Sequence, residues 1–264
     1  MILNIYPDHL ERHGSFLKYI KAKFKLIKNQ NSNDYAYLNL KNKYLKKIIK
    51  KEKISAKLIN VRFNNLRKIK KKIRNIYFNT SGNKENLSFI LAIAKNLKLE
   101  KNKIIKVINN FKGLKYRQEL IYSSNKISCI NDSKATSFSS SINILESLKN
   151  VFWIVGGIPK IGDSFFLDKK KCKNIKAYIF GKNNKFFVDN FKNKLSYKTC
   201  KNLKDVFKNI IKDIKFSKKS IYHKTILFSP SAASFDSFKD FEDRGKYFNH
   251  LFKKYKIKII HAGK

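Results

Sequence analysis

Residues 127–157 read ISCINDSKATSFSSSINILESLKNVFWIVGG, and this stretch decides the fold. Short apolar runs at 127–130 and 151–155 stand on either side of a helix-like segment at 139–148. The same alternation continues towards the C-terminus. The further apolar runs lie at 177–180, 225–228 and 257–260. The further helix-like segments lie at 182–194, 203–214 and 240–255. Strands that alternate with helices are typical of a parallel sheet covered on both faces. The second half of the chain is therefore predicted to be one Rossmann-like α/β domain.

The first 112 residues show a different pattern. A strand is predicted at 2–5, followed by a helix after Gly14-Ser15 and by strand-like pieces at 58–62 and 76–78. Helices are predicted at 84–97 and 103–111. Because this segment opens directly on a strand, it is expected to be the back half of an α/β domain. The boundary is placed near Lys112–Gly113, which divides the chain into domains 1–112 and 113–264.

Composition narrows the class of protein. The chain has 264 residues, of which 42% are hydrophobic, with only nine glycines and three prolines, so a disordered or fibrous protein is excluded. Three scattered cysteines argue against a disulfide framework or a zinc cluster. No apolar run approaches the ~18 residues of a membrane span, and the N-terminus lacks the layout of a signal peptide. We therefore expect a cytoplasmic protein.

The net charge of +42 raises the possibility of a nucleic-acid partner. However, six of the 60 basic residues are arginine, and the lysines are spread over nearly every segment together with many asparagines and isoleucines. Bidentate recognition of phosphates and bases favours arginine. A compositional bias of the whole chain explains this pattern better, and no specific nucleic-acid partner is expected. A basic nucleic-acid-binding protein remains the alternative from another functional class.

One lysine occupies an unusual position in the predicted helix after Ser15. At 100° per residue, Lys23 falls within the stripe formed by Phe16, Ile20 and Ile27, away from the other lysines of this helix. Burial of a bare ammonium group is costly. Lys23 therefore either extends its amine to water, pairs with another group, or serves a site.

Five segments together carry a family resemblance. They are PDHLERH at 7–13 with YIKAK at 19–23, NKEN at 83–86, FKGLKYRQE at 111–119, NDSKAT at 131–136 and SPSAASFDSFKDFEDRG at 229–245. In order and content they resemble the Mur ligases, most closely those that join D-glutamate to UDP-N-acetylmuramoyl-L-alanine. The resemblance implies a Rossmann-like C-terminal Mur ligase domain preceded by the back half of the central α/β ATPase domain.

The resemblance also implies a reaction and a set of site residues. ATP would phosphorylate the substrate carboxylate, and the amine of D-glutamate would attack the acyl phosphate, with Mg²⁺ neutralising charge. Lys23 would be carbamylated and would hold Mg²⁺ together with His9; both are assigned catalytic roles. The residues implied in ATP binding are Asn83, Asn86, Arg117, Asp132 and Lys134. The residues implied in D-glutamate binding are Thr136, Lys160, Ser234, Phe235 and Phe241.

The sequence departs from the family pattern in several places. Gly82, Lys115-Tyr116 and Ser137 replace residues found in many members, and the first two put adenine contacts in doubt. No Gly-Lys-Ser or Gly-Lys-Thr phosphate loop occurs. The chain is therefore expected to be the C-terminal part of such a ligase, monomeric, inactive alone and dependent on a missing N-terminal half. Another amide ligase of the Mur or folylpolyglutamate type is the nearest alternative.

Overall fold

A computed structural model describes residues 1–5, 10–62, 69–216 and 222–262. The chain forms two compact units, Met1–Phe111 and Lys112–Lys264. His9 and Asp8 lie outside the described residues.

The first unit contains a small parallel sheet surrounded by helices. Strand β1 pairs in parallel with β2, and Ile2 adds a parallel bridge to Leu38 at the end of β1. The predicted strand at 2–5 is therefore reduced to this bridge within the described residues. The elements of this unit are α1 Leu10–His13, α2 Phe16–Lys28, β1 Tyr35–Leu38, α3 Lys43–Ile49, β2 Lys57–Asn60, α4 Ser81–Asn96 and α5 Lys101–Asn110.

One predicted strand of the first unit is wrong. Residues Ile76–Asn79 form a 3-10 helix. The side chain of Asn75 caps it by accepting from the N–H of Tyr77 at 3.0 Å, while its amide donates to the carbonyls of Ile108 and Phe111 at 2.8 Å and 2.6 Å. These bonds turn the backbone where the apolar residues alone indicated an extended segment.

The second unit is built on a six-stranded sheet in the order β3-β4-β8-β5-β6-β7. Strands β4 to β8 are parallel, and β3 pairs antiparallel with β4 at one edge. The strands are β3 Glu119–Ser123, β4 Ile127–Asn131, β5 Val151–Gly156, β6 Ile175–Phe180, β7 Ser196–Cys200 and β8 Lys224–Phe228. The helices are α6 Phe138–Leu145, α7 Lys169–Cys172, α8 Asn184–Phe191, α9 Leu203–Phe216 and α10 Phe241–Ala262. The predicted Rossmann-like α/β class is confirmed.

Two apolar cores cover the two faces of this sheet. Trp153 and Leu227 pack with Phe138, Cys172 and Phe187, which places α6, α7 and α8 on one face. The other face packs against α9 and α10, through buried residues that include Ile154, Phe228, Phe207, Phe248 and Ile259. Both faces of the central strands are therefore buried, as expected for parallel strands.

The strand predicted at 257–260 is instead the last part of α10. Ile259 is buried whereas Ile257 is 67% exposed, so the isoleucine run follows the periodicity of one helix. Two strands of the second unit, β3 and β7, escaped prediction, as did β1 in the first unit. Strand β7 is largely exposed and polar, and β3 pairs only along one side at the sheet edge, so neither presents a strongly apolar run.

Candidate functional site

The candidate site of the second unit lies at the carboxyl ends of β4 and β8. These strands are parallel neighbours, with Asn131 opposite Phe228 at their ends. The helix after β4 packs on one face of the sheet, and the helix after β8 packs on the other. In open α/β sheets, a crevice for ligands opens where the chain leaves adjacent strands in opposite directions. The topology therefore places a candidate site directly after Asn131 and Phe228.

Asp132 occupies this crevice. Its N–H donates to the carbonyl of Phe228 at 2.7 Å, and its carboxyl accepts from the Ser229 hydroxyl at 2.9 Å and from the N–H of Gln118 at 3.1 Å. Burial raises the pKa of Asp132 to about 7, against the opposing effects of these two bonds and of the charge on Arg117. Asp132 is thus a rigidly held acceptor whose charge state changes near neutrality.

The loop after β4 is fixed to the start of α10. Asn131 donates to the carbonyl of Gly245 at 3.0 Å, and the Ser133 hydroxyl donates to the carbonyl of Phe241 at 2.8 Å. The Lys134 ammonium lies 3.8 Å from the centre of the Phe241 ring. The structure therefore brings Lys134, predicted for ATP, directly against Phe241, predicted for D-glutamate. This contact is favourable because the ring face attracts a cation.

Hydrogen bonds also draw the predicted D-glutamate residues together. Ile158 and Ala233 exchange two backbone bonds, of 3.0 Å and 2.8 Å, so the loops that continue to Lys160 and Ser234 run side by side. Asp163, in the Lys160 loop, accepts from the N–H of Phe138, two residues after Thr136, at 2.8 Å. Three separate stretches of sequence thus converge on one region of the second unit.

The predicted residues of the second unit differ in exposure. Ser234 is buried, Lys160, Thr136 and Phe241 are half-buried, and Arg117 is exposed. Phe235 is 72% exposed, which excludes the core position that its spacing also allowed. The loops that carry these residues are all linked to the crevice by the contacts above.

Two features of this region were missed by sequence reasoning. The hydroxyls of Ser229 and Ser141 lie 2.6 Å apart, as do those of Ser141 and Ser231, and this buried chain ends on Asp132. Arg244 is also buried and bonded to Ser133. Both lie in or beside segments quoted above, but a serine or arginine in a motif carries no signal of burial.

In the first unit, Lys23 is exposed, and its ammonium lies 5.6 Å from the centre of the Tyr19 ring. The buried residues of α2 are Tyr19, Ile20, Phe24 and Ile27. The ammonium of Lys23 therefore reaches the surface across the Tyr19 ring, although Tyr19 and Ile27, which flank Lys23 on the helix surface, are buried. The role assigned to Lys23 stays a prediction.

The two asparagines predicted for nucleotide binding are neighbours on α4. Asn83 is buried, donates to the carbonyl of Tyr77 at 2.8 Å, and accepts from the amide of the exposed Asn86 at 3.4 Å. Between them, Glu85 accepts from Asn39 at 2.7 Å and from Asn4 at 3.4 Å. Asn39 follows β1, so Glu85 ties α4 to the carboxyl end of the small sheet.

The implied magnesium site can be tested against the described residues. No group of three or more His, Cys, Asp or Glu that could hold a metal ion occurs among them. Lys23 carries no acidic neighbour in the contacts above, and His9 lies outside the described residues. The described residues therefore do not by themselves complete a Mg²⁺ site, and His9 with a carbamylated Lys23 would have to supply further ligands.

Comparison with known proteins finds similarity to one family of ligases. Residues 1–107 match the model of the Mur ligase middle domain. UDP-N-acetylmuramoylalanine–D-glutamate ligase of Rickettsia prowazekii is 35% identical over 97% of this chain, and its counterpart in Rickettsia felis is 34% identical over 97%. This chain is similar to Mur ligases over nearly its whole length. The predicted resemblance to the C-terminal part of a D-glutamate-adding Mur ligase is confirmed.

Solved structures of Mur ligases share the fold of this chain. MurF from Acinetobacter baumannii has a TM-score of 0.66 at 15% identity, covering 94% of this chain and 59% of that chain. The chain spans 61% and 60% of the length of the two Rickettsia relatives. Among the described residues, no helix combines the length and apolarity needed to cross a membrane.

Proposed function

We propose that this chain carries the amino-acid-binding part, and part of the nucleotide-binding part, of an ATP-dependent ligase that joins D-glutamate to UDP-N-acetylmuramoyl-L-alanine in peptidoglycan precursor synthesis. The observation that carries the proposal is the convergence of the Thr136, Lys160 and Ser234 segments beside the buried Asp132. The 35% identity to a relative named for this activity supports the same choice.

The residues of the second unit supply the functions that such a site needs. Asp132, when ionised, accepts hydrogen bonds from ribose hydroxyls, and its fixed position orients the sugar. Lys134 and Arg117 provide positive charge for phosphate oxygens. The ammonium of Lys160 neutralises a substrate carboxylate, while the hydroxyls of Thr136 and Ser234 donate to it directionally. Phe241 places its ring beside Lys134 at the same end of the sheet.

The chemistry of the reaction comes largely from ATP, which when bound supplies the phosphoryl group that activates the substrate carboxylate. The contribution of the second unit is to hold the amine of D-glutamate in a fixed position, because correct placement of two reactants lowers the barrier strongly. The contribution of the first unit is proposed to come from Asn83 and Asn86 at the nucleotide and from His9 with a carbamylated Lys23 at Mg²⁺. A monomeric protein acting in the cytoplasm is proposed as well.

Ligand binding tests the proposal without requiring turnover. The chain is titrated calorimetrically with D-glutamate and with L-glutamate, each in the presence of ADP. We expect saturable binding that prefers the D enantiomer and is lost in Lys160→Ala, whereas Lys169→Ala on α7 leaves it unchanged. Equal affinity for the two enantiomers, or binding independent of Lys160, would contradict the D-glutamate assignment.

The same titration separates the alternatives. Another amide ligase of the Mur or folylpolyglutamate type would bind ADP but not select D-glutamate. A nucleic-acid-binding protein would bind a random DNA duplex with an affinity that falls steeply as the salt concentration rises, and would not bind ADP.

We also propose that the chain alone does not complete the reaction, since no Gly-Lys-Ser or Gly-Lys-Thr occurs in it. ATP-dependent incorporation of D-glutamate by the purified chain would contradict this.

A further inference from the structure

Arg244 is a buried cation in the second unit with an unusual set of partners. It lies in the first turn of α10 and is 1% exposed. Its Nε donates to the Ser133 hydroxyl at 3.1 Å, and its Nη2 donates to the carbonyls of Ser133 and Ala232 at 2.8 Å and 3.0 Å. One side chain therefore joins the start of α10 to the loop after β8, 12 residues earlier, and to the loop after β4, 111 residues earlier.

The three segments carry the proposed ligand contacts. Ser133 lies between Asp132 and Lys134, and Ala232 precedes Ser234 by two positions. The Ser133 hydroxyl, which accepts from Arg244, in turn donates to the carbonyl of Phe241. The guanidinium thus stands at the junction of the loop after β4, the loop after β8 and the start of α10.

Burial of this charge is not explained by stability. Burial lowers the pKa of Arg244 to about 10, so it stays charged near neutrality. Its Nη1 has no hydrogen-bond partner within the residues that the structure describes. It lies close to Gly157, where an added Cβ would come within 3.2 Å of Nη1. A buried cation with an unpaired N–H costs free energy that a well-packed apolar side chain would not.

We propose that Arg244 is a positioning residue that holds the loop of Asp132 and Lys134 in register with the loop of Ser234 and with Phe241, so that the nucleotide part and the amino-acid part of the site form together. This inference rests on the proposed function for the identity of the ligands. The geometric part, that one guanidinium orders both loops, stands on the three hydrogen bonds alone.

The chain contains its own reporter for this test. Trp153 is the single tryptophan, and its indole N–H donates to the carbonyl of Ser229 at 2.8 Å, one residue beyond the end of β8. Its fluorescence therefore responds to the position of the loop after β8. A matched control is Tyr178→Phe, which removes a partly buried hydrogen bond to Asp213 on α9 rather than a bond at the crevice.

The first measurement is amide hydrogen exchange of Arg244→Met, Arg244→Lys and Tyr178→Phe. We expect Arg244→Met to speed exchange in both 131–136 and 230–236, and Arg244→Lys to do so less, while Tyr178→Phe affects neither stretch selectively. Should Arg244→Met fail to fold, Ser133→Ala removes the Nε acceptor and should loosen the same two stretches. Uniform acceleration across the second unit, or no change in these stretches, would overturn the proposal.

The second measurement is titration of the same variants with ADP and with D-glutamate, followed by Trp153 fluorescence. We expect Arg244→Met to weaken the binding of both ligands roughly 10- to 100-fold, as expected for the loss of charged hydrogen bonds. Tyr178→Phe should leave both affinities unchanged. Weaker binding of only one ligand, or of neither, would contradict the proposal that the nucleotide part and the amino-acid part of the site form together. If the unaltered chain binds neither ligand, the proposed function fails, while the exchange measurement still decides whether Arg244 orders the loops.

Discussion

Ser229 donates its hydroxyl hydrogen to Asp132 at 2.9 Å, and both residues are buried. This bond uses the only hydrogen of the Ser229 hydroxyl. Ser141, 2.6 Å away, must therefore donate to Ser229, and Ser231, also at 2.6 Å from Ser141, must donate in turn. When Asp132 gains a proton it can itself donate to Ser229, and the direction of the chain can reverse. The serine chain thus allows both charge states of Asp132 to be satisfied.

The raised pKa of Asp132 predicts a stability that falls as pH rises. The folded state, with a pKa of about 7, binds a proton that the unfolded chain, near 3.8, has already released. The penalty begins above about pH 4 and is complete above about pH 7, reaching at most about 4 kcal/mol. Asp132→Asn should therefore gain stability relative to the unaltered chain between pH 5 and 8, as measured by urea unfolding.

Asp213 provides the control for this experiment. Although its burial acts in the opposite sense, hydrogen bonds from Lys176 and Tyr178 lower its pKa overall. Its contribution is lost only in acid, so Asp213→Asn should cost the same at pH 5 and at pH 8. A stability difference between Asp132→Asn and the unaltered chain that does not vary with pH would show that Asp132 is not neutral when folded.

Loss of the Ser229 hydroxyl should raise the pKa of Asp132 further, because that hydrogen bond favours the ionised form. We expect Ser229→Ala to destabilise the second unit by about 1–3 kcal/mol, since it also leaves Ser141 with one partner fewer. Carbon-detected NMR titration of the aspartate carboxyls measures the pKa. Ser237→Ala, at an exposed residue of the following loop, should leave it unchanged. An unaltered or lower pKa in Ser229→Ala would refute this reasoning.

Two glycine substitutions should change stability in opposite directions. A Cβ on Gly245 would lie 2.4 Å from the ring of the buried Tyr116, so Gly245→Ala should cost about 1–3 kcal/mol. A Cβ on Gly82, within α4, would meet nothing within 4 Å, so Gly82→Ala should stabilise the first unit by about 0.5–1 kcal/mol. Thermal unfolding followed by circular dichroism compares them. Equal shifts in both variants would contradict the packing argument.

The proposed carbamylation of Lys23 can be tested directly on this chain. The exposed amine is accessible to dissolved carbon dioxide. The product is anionic and is repelled by the face of the Tyr19 ring that the ammonium now occupies, so the side chain should move away from that ring. NMR of protein equilibrated with [¹³C]bicarbonate should show a carbamate signal that Lys23→Gln abolishes and Lys21→Gln retains. A signal that survives Lys23→Gln would assign the modification to another amine.

Local sequence patterns determined most of the second unit. The apolar runs at 127–130, 151–155, 177–180 and 225–228 correspond to β4, β5, β6 and β8, because buried parallel strands need apolar residues on both faces. The strand predicted at 257–260 is wrong because a short isoleucine run fits both the helix and the strand periodicity. Only the packing of Ile259 distinguishes the two. Edge strands such as β7 bury too few side chains to produce an apolar run in the sequence.

The family resemblance determined which residues to look for, and the tertiary structure decided what surrounds them. In the sequence Asp132 is one aspartate after a strand. Its pKa, however, depends on Ser229, 97 positions away, and on its burial among residues that exclude water. Arg244 is one basic residue among 60, and only the fold turns it inward onto Ser133 and Ala232. Strand periodicity is a local property that a sequence displays. Burial and long-range hydrogen bonds depend on how β4, β8 and α10 meet, and that is settled only when the sheet assembles.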